Sequence, residues 1–356
     1  MNESAPLVSV VIPCRNEAAY IGQCLTSIIE NDYPHERLEI LVVDGMSDDG
    51  TREIVNKYHE AYPFIQLIDN PERITPVALN TAINASHGEI IMRVDAHSWC
   101  DREYIARCVA AIVDGAADNV GGIWQIVPRH DSLVARAIVQ ALTHPFGVGN
   151  ADYRLVSGGE PRYVDTVPYF CCRREVFEKI GLFNENLARG QDMEFNRRLV
   201  ESGGRILLLP NVVSYYHART SPGEFIKHNW ANGVWSILPF SYSSVTPVSV
   251  RHLVPLMFVA SLGGATLLSR AVPPAAWLAR LIAVTYGAAN AAASISVAVR
   301  GRDPRYVLVM PVVFGVLHGA YGLGAAWGVA RLAWAKRRRG SALTAPGTAH
   351  ARRARA

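Results

Sequence analysis

Gly88-Glu-Ile-Ile-Met-Arg-Val-Asp-Ala-His-Ser98 is the stretch whose reading decides the fold. Ile90, Ile91, Met92 and Val94 make a short apolar run of the kind that fills a buried parallel strand. The run stops at Asp95, and His97 follows two residues later. An acid and an imidazole just past the C-terminal end of such a strand stand where open α/β sheets bind their ligands. Carboxylate oxygen and imidazole nitrogen also suit a divalent cation such as Mn²⁺. Taken alone, the same residues read equally well as a turn cap and a solvated histidine.

The chain before this stretch supplies the context. Val8–Pro13 is an apolar run ended by proline, and Ile21, Cys24, Leu25, Ile28 and Ile29 recur at helical spacing. Leu38–Val43 reads as a second strand ending at Asp44, followed by a turn-rich loop and a helix from about Arg52. Ile65–Ile68 is a third short strand, and a helix over 76–85 leads into the central one. This alternation predicts an α/β fold, a mostly parallel sheet flanked by helices. Glu17 and Asp44 lie just beyond strand ends, as Asp95 does. Acids so placed can accept hydrogen bonds from ribose hydroxyls or base N–H groups of a nucleotide. No Gly-x-Gly-x-x-Gly follows the first strand and no Walker lysine motif occurs, which argues against a dinucleotide-binding dehydrogenase or a P-loop enzyme. Phosphates are left to a metal and to arginines.

Further on the pattern loosens. Val120–Trp124 suggests a strand and 132–142 a helix. Pro145–Arg162 carries Gly147, Gly149, Gly158 and Gly159 and reads as a mobile loop that closes over a substrate. A helix entered near Gln191 places Asp192 in its first turn, where the helix dipole favours an ionised carboxylate. That carboxylate is either a general base or an ordinary acid stabilising the dipole.

The 356 residues are 50% hydrophobic and 19% charged, but unevenly so. Up to about Ser221 the chain is rich in Asp, Glu, Arg and Asn; from Leu253 to Trp334 it is dominated by Ala, Val, Leu and Gly. Leu253–Ser269, Leu281–Val299 and Val307–Ala330 approach the roughly 20 residues of a membrane-spanning helix, with Trp277, Trp327 and Trp334 near their ends. Phe225–Phe240 mixes aromatic and polar residues and suits the interface plane. The net charge of +4 concentrates in the tail Lys336–Arg339 and Arg352–Arg355, which next to apolar segments suits an anionic membrane surface rather than nucleic acid. Six cysteines without metal-type spacing read as reduced core residues, and no signal peptide is evident at the N-terminus. Positive tail and catalytic half should both face the cytoplasm, which requires an even number of crossings against three apolar runs. One run would then be re-entrant or interfacial, or the last one bends. The expected division is 1–222 catalytic, 223–250 interfacial, 251–334 transmembrane and 335–356 a basic, disordered cytoplasmic tail.

As an ordered set, Val8–Glu17, Leu41–Thr51, Asn70–Ile83, Gly88–Ser98 and Gly190–Leu199 resemble family 2 glycosyltransferases with the GT-A fold, nearest to the membrane-associated, succinoglycan-type transferases of exopolysaccharide synthesis. The resemblance implies that Pro13, Arg15, Glu17 and Asp44 hold the base and ribose of a nucleotide-sugar donor, and that Arg73 approaches its diphosphate. Asp95 and His97 stand at the family's Asp-x-Asp motif and would bind Mg²⁺ or Mn²⁺, Asp95 also contacting the donor. Asp192 would be the catalytic base of an inverting transfer. Trp99, Arg189, Gln191 and Trp230 are candidates for an acceptor site or lid. His97 replaces the motif's second Asp, and Gln191 replaces a Glu before the base. The Gln-x-x-Arg-Trp motif of processive synthases is missing; Lys227–Trp230 stands near its place. The implied activity is non-processive transfer of one sugar, UDP-linked, to a polyprenyl-diphosphate-linked saccharide at the cytoplasmic membrane. The alternatives are a polyprenyl-phosphate hexosyl transferase, or a silent nucleotide-sugar-binding subunit.

Overall fold

The computed structural model describes residues 5–155, 158–243, 245 and 248–343, with side chains as far as residue 334. The tail arginines Arg352, Arg353 and Arg355 and the side chains of Lys336–Arg339 lie outside the described residues.

The first part alternates as the apolar runs require: β1 (Val8–Cys14), α1 (Ile21–Ile29), β2 (Leu38–Asp44), α2 (Thr51–Ala61), β3 (Ile65–Asp69), α3 (Thr75–Ala85) and β4 (Ile90–Arg93). β3, β2, β1 and β4 lie side by side and parallel, Val8 being opposite Leu38 on one side and Ile90 on the other. Both faces are covered. Val8, Val10 and Ile12 enter one core with Ile21, Cys24, Leu25 and Ile28 of α1. Val11, Leu41 and Ile91 enter the other with Ala78, Leu79, Ala82 and Ile83 of α3. Side chains alternate between two dry faces, so each strand reads as an unbroken apolar run.

The chain continues through β5 (Ser98–Cys100), α4 (Tyr104–Val113), β6 (Asn119–Pro128), α5 (Leu133–Leu142), α6 (Pro145–Val148), α7 (Asp152–Leu155), β7 (Arg162–Tyr163), β8 (Cys171–Arg173), α8 (Arg174–Ile180), α9 (Gln191–Glu201) and β9 (Ile206–Ala218). Here the sheet is mixed. β8 runs antiparallel to β4 and β6, while β9 runs parallel to β6 and antiparallel to β5. The run of consecutive parallel strands holds only where short strand–helix–strand crossovers impose it, the β6–β9 pair being parallel through a long connection. Within 145–162 the expected loop instead contains α6 and α7. A Cβ on Gly147 would lie 2.0 Å from the Ala141 carbonyl oxygen, so this glycine marks close packing rather than a hinge. All six cysteines are free and buried, Cys171 and Cys172 on opposite faces of the sheet, as expected of reduced core residues.

Four helices follow: α10 (Pro222–Trp235), α11 (Val254–Leu268), α12 (Pro273–Arg300) and α13 (Tyr306–Leu343). The helical stretches Val250–Leu268, Pro273–Arg300 and Tyr306–Trp334, of 19, 28 and 29 residues, are long and apolar enough to cross a membrane. The last helix reaches into the segment expected as tail. Outward-facing Met257, Leu281, Val284, Leu308 and Val312 are 62–80% exposed, an apolar surface suited to lipid. The sheet half is docked onto these helices. α5 buries Ala137, Ile138 and Ala141 against Val297 of α12 and Met310 and Phe314 of α13. α10 lies backbone to backbone on α13: a Cβ on Gly324 would sit 2.2 Å from the Trp230 carbonyl oxygen, and one on Gly233 2.0 Å from that of Tyr321.

Gly324→Leu should therefore destabilise the full chain by about 1–3 kcal/mol, the usual range for overpacking. Gly263→Leu in α11 meets nothing within 4 Å and should leave the unfolding midpoint of the detergent-solubilised protein unchanged.

Candidate active site

Arg93 ends β4 and is only 7% exposed. Its Nε donates to Asp95 Oδ1 at 2.7 Å. Burial opposes this charge, but the carboxylates of Asp95 and Asp192 outweigh burial and raise the guanidinium above its ordinary value. Asp192 reaches this place because α9 begins immediately after Gly190, which takes the left-handed φ of 76° that favours glycine. α9 is anchored by Phe195, whose ring lies 4.7 Å from Phe183 and 5.2 Å from Phe177. Arg198 grips Glu194 at 2.9 and 3.0 Å and also bonds the carbonyls of Ile180 and Leu182.

His97 Nδ1 is 3.0 Å from Glu17 Oε1. An ionised carboxylate only accepts, so Nδ1 carries the hydrogen and the lone pair is on Nε2. This is how metal-binding histidines are commonly oriented from behind. Asp95 likewise engages Arg93 through Oδ1 and keeps Oδ2. Among the described residues no three His, Cys, Asp or Glu side chains converge as a complete metal cage.

Arg93, Asp95, His97 and Asp192 line one cavity of about 850 Å³. The same cavity is lined by Arg154, Arg189, Arg219 and His228, and then by Val254, Pro255, Phe258, Leu317 and Tyr321 of the apolar helices. His228 Nδ1 lies 3.0 Å from Arg219 Nη1 and 3.4 Å from Arg189 Nη1. Guanidinium groups only donate, so Nδ1 accepts and the hydrogen is on Nε2. Burial, then Arg189 and Arg219, push this imidazole down to about 3. Arg93 Nη1, Trp124 Nε1, Arg154 Nε and Gln191 Oε1 are buried without a protein partner, and all four residues line the cavity. Orphaned polar atoms gathered on one cavity are what a polar ligand satisfies.

Of the residues singled out from sequence, Asp95, His97, Asp192, Arg189 and Gln191 line the cavity; Glu17 supports it through His97. Pro13, Arg15, Asp44 and Arg73 are not in its lining. Asp44 is fully buried and accepts from Arg52 Nη1 at 2.9 Å and from the Ser47 N–H at 2.9 Å, so it holds the loop after β2 together. Arg15 and Arg73 are exposed on the loops after β1 and β3. Those loops and the one after β2 hold Asn16, Met46 and Arg73 at φ of 54°, 57° and 60°, a strained conformation for non-glycine residues. Trp99 does not face the cavity, because β5 pairs with β9 and its ring stacks on Tyr215 at 4.9 Å and 6°. Trp230 is 40% exposed on α10, outside the cavity lining. Arg93, Arg154, Arg219 and His228 were not predicted as site residues. For Arg93 the signal was present, a charge inside an otherwise apolar strand.

Two outcomes follow. Arg93→Met leaves Asp95 and Asp192 without their shared cation, and should cost about 3–5 kcal/mol in chemical unfolding, as loss of one buried partner does. His228 takes its proton near pH 6.5 when unfolded but only near 3 when folded. The neutral form's stability is thus fully present above about pH 6.5 and is lost as pH falls towards 3, at about 1.4 kcal/mol per unit. His228→Gln should flatten the fall in unfolding midpoint between pH 7 and 5.

Residues 9–181 match the family described as glycosyl transferase family 2. The chain is 27% identical over 232 residues to the dolichyl N-acetyl-alpha-D-glucosaminyl phosphate 3-beta-D-2,3-diacetamido-2,3-dideoxy-beta-D-glucuronosyltransferase of Methanococcus voltae, covering 64% of this chain and 71% of that one. It is 26% identical over 271 residues to the succinoglycan biosynthesis protein ExoA of Rhizobium meliloti (strain 1021), covering 71% and 81%. Among solved structures, the mannosyltransferase PcManGT from Pyrobaculum calidifontis, in complex with GDP-Man and Mn²⁺, superposes with a TM-score of 0.58 at 23% identity, over 91% of this chain and 88% of that one. It shares the fold, and the architecture is the GT-A fold expected from the sequence. The protein carries a glycosyl transferase family 2 domain over residues 9–181 and is a glycosyltransferase.

Proposed function

We propose that the enzyme transfers a single sugar, with inversion, from a UDP-linked donor to a lipid-linked saccharide at the cytoplasmic face of a membrane. The observation that carries this reading is the single cavity lined by Asp95, His97 and Asp192 and also by three helices suited to lipid. The relative from Methanococcus voltae is named for a dolichyl-phosphate-linked sugar and that from Rhizobium meliloti for succinoglycan, in keeping with such an acceptor.

Asp192 takes the proton of the acceptor hydroxyl as its oxygen bonds to the anomeric carbon, and the bond from that carbon to the nucleoside diphosphate breaks. Arg93 holds Asp95 at the cavity, offsets the charge of Asp192 and stays charged throughout. Asp95 Oδ2 and His97 Nε2 would hold Mg²⁺ or Mn²⁺, with Glu17 fixing the imidazole from behind. Such a cation, when bound, offsets charge on the departing diphosphate. The strained loops after β1, β2 and β3 are the proposed seat of the base and ribose, with Pro13, Arg15, Asp44 and Arg73 as their residues.

The membrane reading also offers an even number of crossings. α10 carries Lys227, His228, Asn229 and Asn232 and lies against the Tyr321–Gly328 part of α13, while α5 covers Met310–Leu317. A helix covered on one side by two helices of the sheet half over that length is not a lone span in lipid. α11 and α12 then cross and return, and α13 lies along the catalytic side. Arg300, Arg302 and Arg305 fall on that side, as the positive-inside rule prefers.

The test supplies membranes containing the protein with labelled nucleotide sugars and Mn²⁺. A lipid-extractable product one sugar longer is expected, lost on chelation. Asp192→Asn should slow its formation by about 10²–10⁴-fold, the usual worth of a general base. Full transfer by that variant would instead favour a lipid phosphate as acceptor, which needs no base. No product with any donor, despite nucleotide binding, would leave a silent binding subunit.

A further inference from the structure

Three guanidinium groups line the cavity without a carboxylate partner. Among the described residues, Arg154, Arg189 and Arg219 form no ion pair. Arg189 donates to Asn232 Oδ1 at 2.9 Å, and Arg189 and Arg219 share the Nδ1 of His228. Arg154 stands over the rings of Trp124 and Tyr153, its guanidinium carbon 5.2 and 5.3 Å from their centroids, with Nε buried and unpartnered. Burial and then the neighbouring Arg219 depress Arg189 below its ordinary value, the mark of cations crowded together out of water. The acceptor that Arg189 and Arg219 share is a histidine kept neutral, so it leaves their positive charge uncompensated. Such a set of forked donors matches the oxygens of a phosphate or diphosphate.

The cluster shares the cavity with the acids but is carried by other elements. Asp95, His97 and Glu17 belong to the loops after β4 and β1. Arg189 and Arg219 instead bond α10, the helix packed on α13, and Arg154 belongs to α7. The cavity beyond is lined by Val254, Pro255, Phe258 and Leu317 of the apolar helices. A lipid-linked saccharide has the same sequence of chemistry: apolar chain, phosphate, sugar.

We propose that Arg154, Arg189 and Arg219 seat the prenyl-linked phosphate or diphosphate of the lipid acceptor, between its chain among the membrane helices and its sugar at Asp192. The inference rests on the lipid-acceptor reading above and names the residues that recognise it. Arg189 and Arg219 are positioned by neutral His228 and Asn232, which take their hydrogen bonds without neutralising their charge.

The test uses the full chain in nanodiscs with two probes, farnesyl diphosphate for the acceptor and UDP with Mn²⁺ for the donor. Arg219→Gln and Arg154→Gln should each weaken farnesyl diphosphate binding at least tenfold and raise the acceptor KM by a similar factor. UDP binding should stay within about twofold, which also reports that the variants are folded. Arg219→Lys, which keeps the charge, should recover part of the loss. Equal loss of UDP affinity would place the cluster on the donor, and unchanged farnesyl diphosphate affinity would remove it from phosphate binding; either overturns the proposal. If the wild type transfers no sugar from any donor while the variants still lose farnesyl diphosphate, the function reading fails and the phosphate seat stands.

Discussion

A buried guanidinium and the acids around it organise this protein. Arg93 sits at the end of a strand whose other residues are apolar; it bonds Asp95 directly and feels the charge of Asp192, and together these outweigh its burial. A charge buried this deeply is tolerable only with such compensation, so the arrangement couples the end of β4 electrostatically to the start of α9, nearly a hundred residues further along the chain. The aromatic packing of Phe177, Phe183 and Phe195 under α9 serves the same end, because it fixes the helix that brings Asp192. Without the cation the two acids would repel each other across the space a substrate must enter.

The cavity walls combine three kinds of chemistry. Acids and imidazole, arginines around a neutral histidine, and aliphatic and aromatic side chains of α11 and α13 all line it. Electrostatic recognition and hydrophobic recognition thus meet in one cavity, each in the dielectric that suits it.

Much of this could be read from the chain and some could not, for physical reasons. Val8–Cys14, Leu38–Asp44 and Ile90–Arg93 are buried on both faces, so their sequences are continuous apolar runs and declare themselves. The 13-residue strand Ile206–Ala218 was missed because Pro210, Asn211 and the polar Ser214–His217 stretch break any simple period, while a bulge opposite Gly122 re-registers it. Asp95, His97 and Asp192 were legible as acids and imidazole following strand or helix signals. The bond between Glu17 and His97, eighty residues apart, was not, because both had been assigned separate ligands. Asp44 has the right sequence position and a different employment, since its carboxylate is saturated by Ser47 and Arg52. Arg154, Arg189 and Arg219 have no shared spacing; only the tertiary fold makes them a cluster.

The seam where Gly233 and Gly324 let α10 and α13 touch along their backbones has a wider consequence. It makes the long apolar helices part of the cavity wall rather than a separate appendage. A fragment ending after Ser221 would keep the sheet, Arg93 and all three acids. It would lose Asn232 and His228, which aim two of the arginines, together with the greasy wall of the chamber. The sheet half and the long apolar helices are for this reason one unit, because neither alone encloses the cavity.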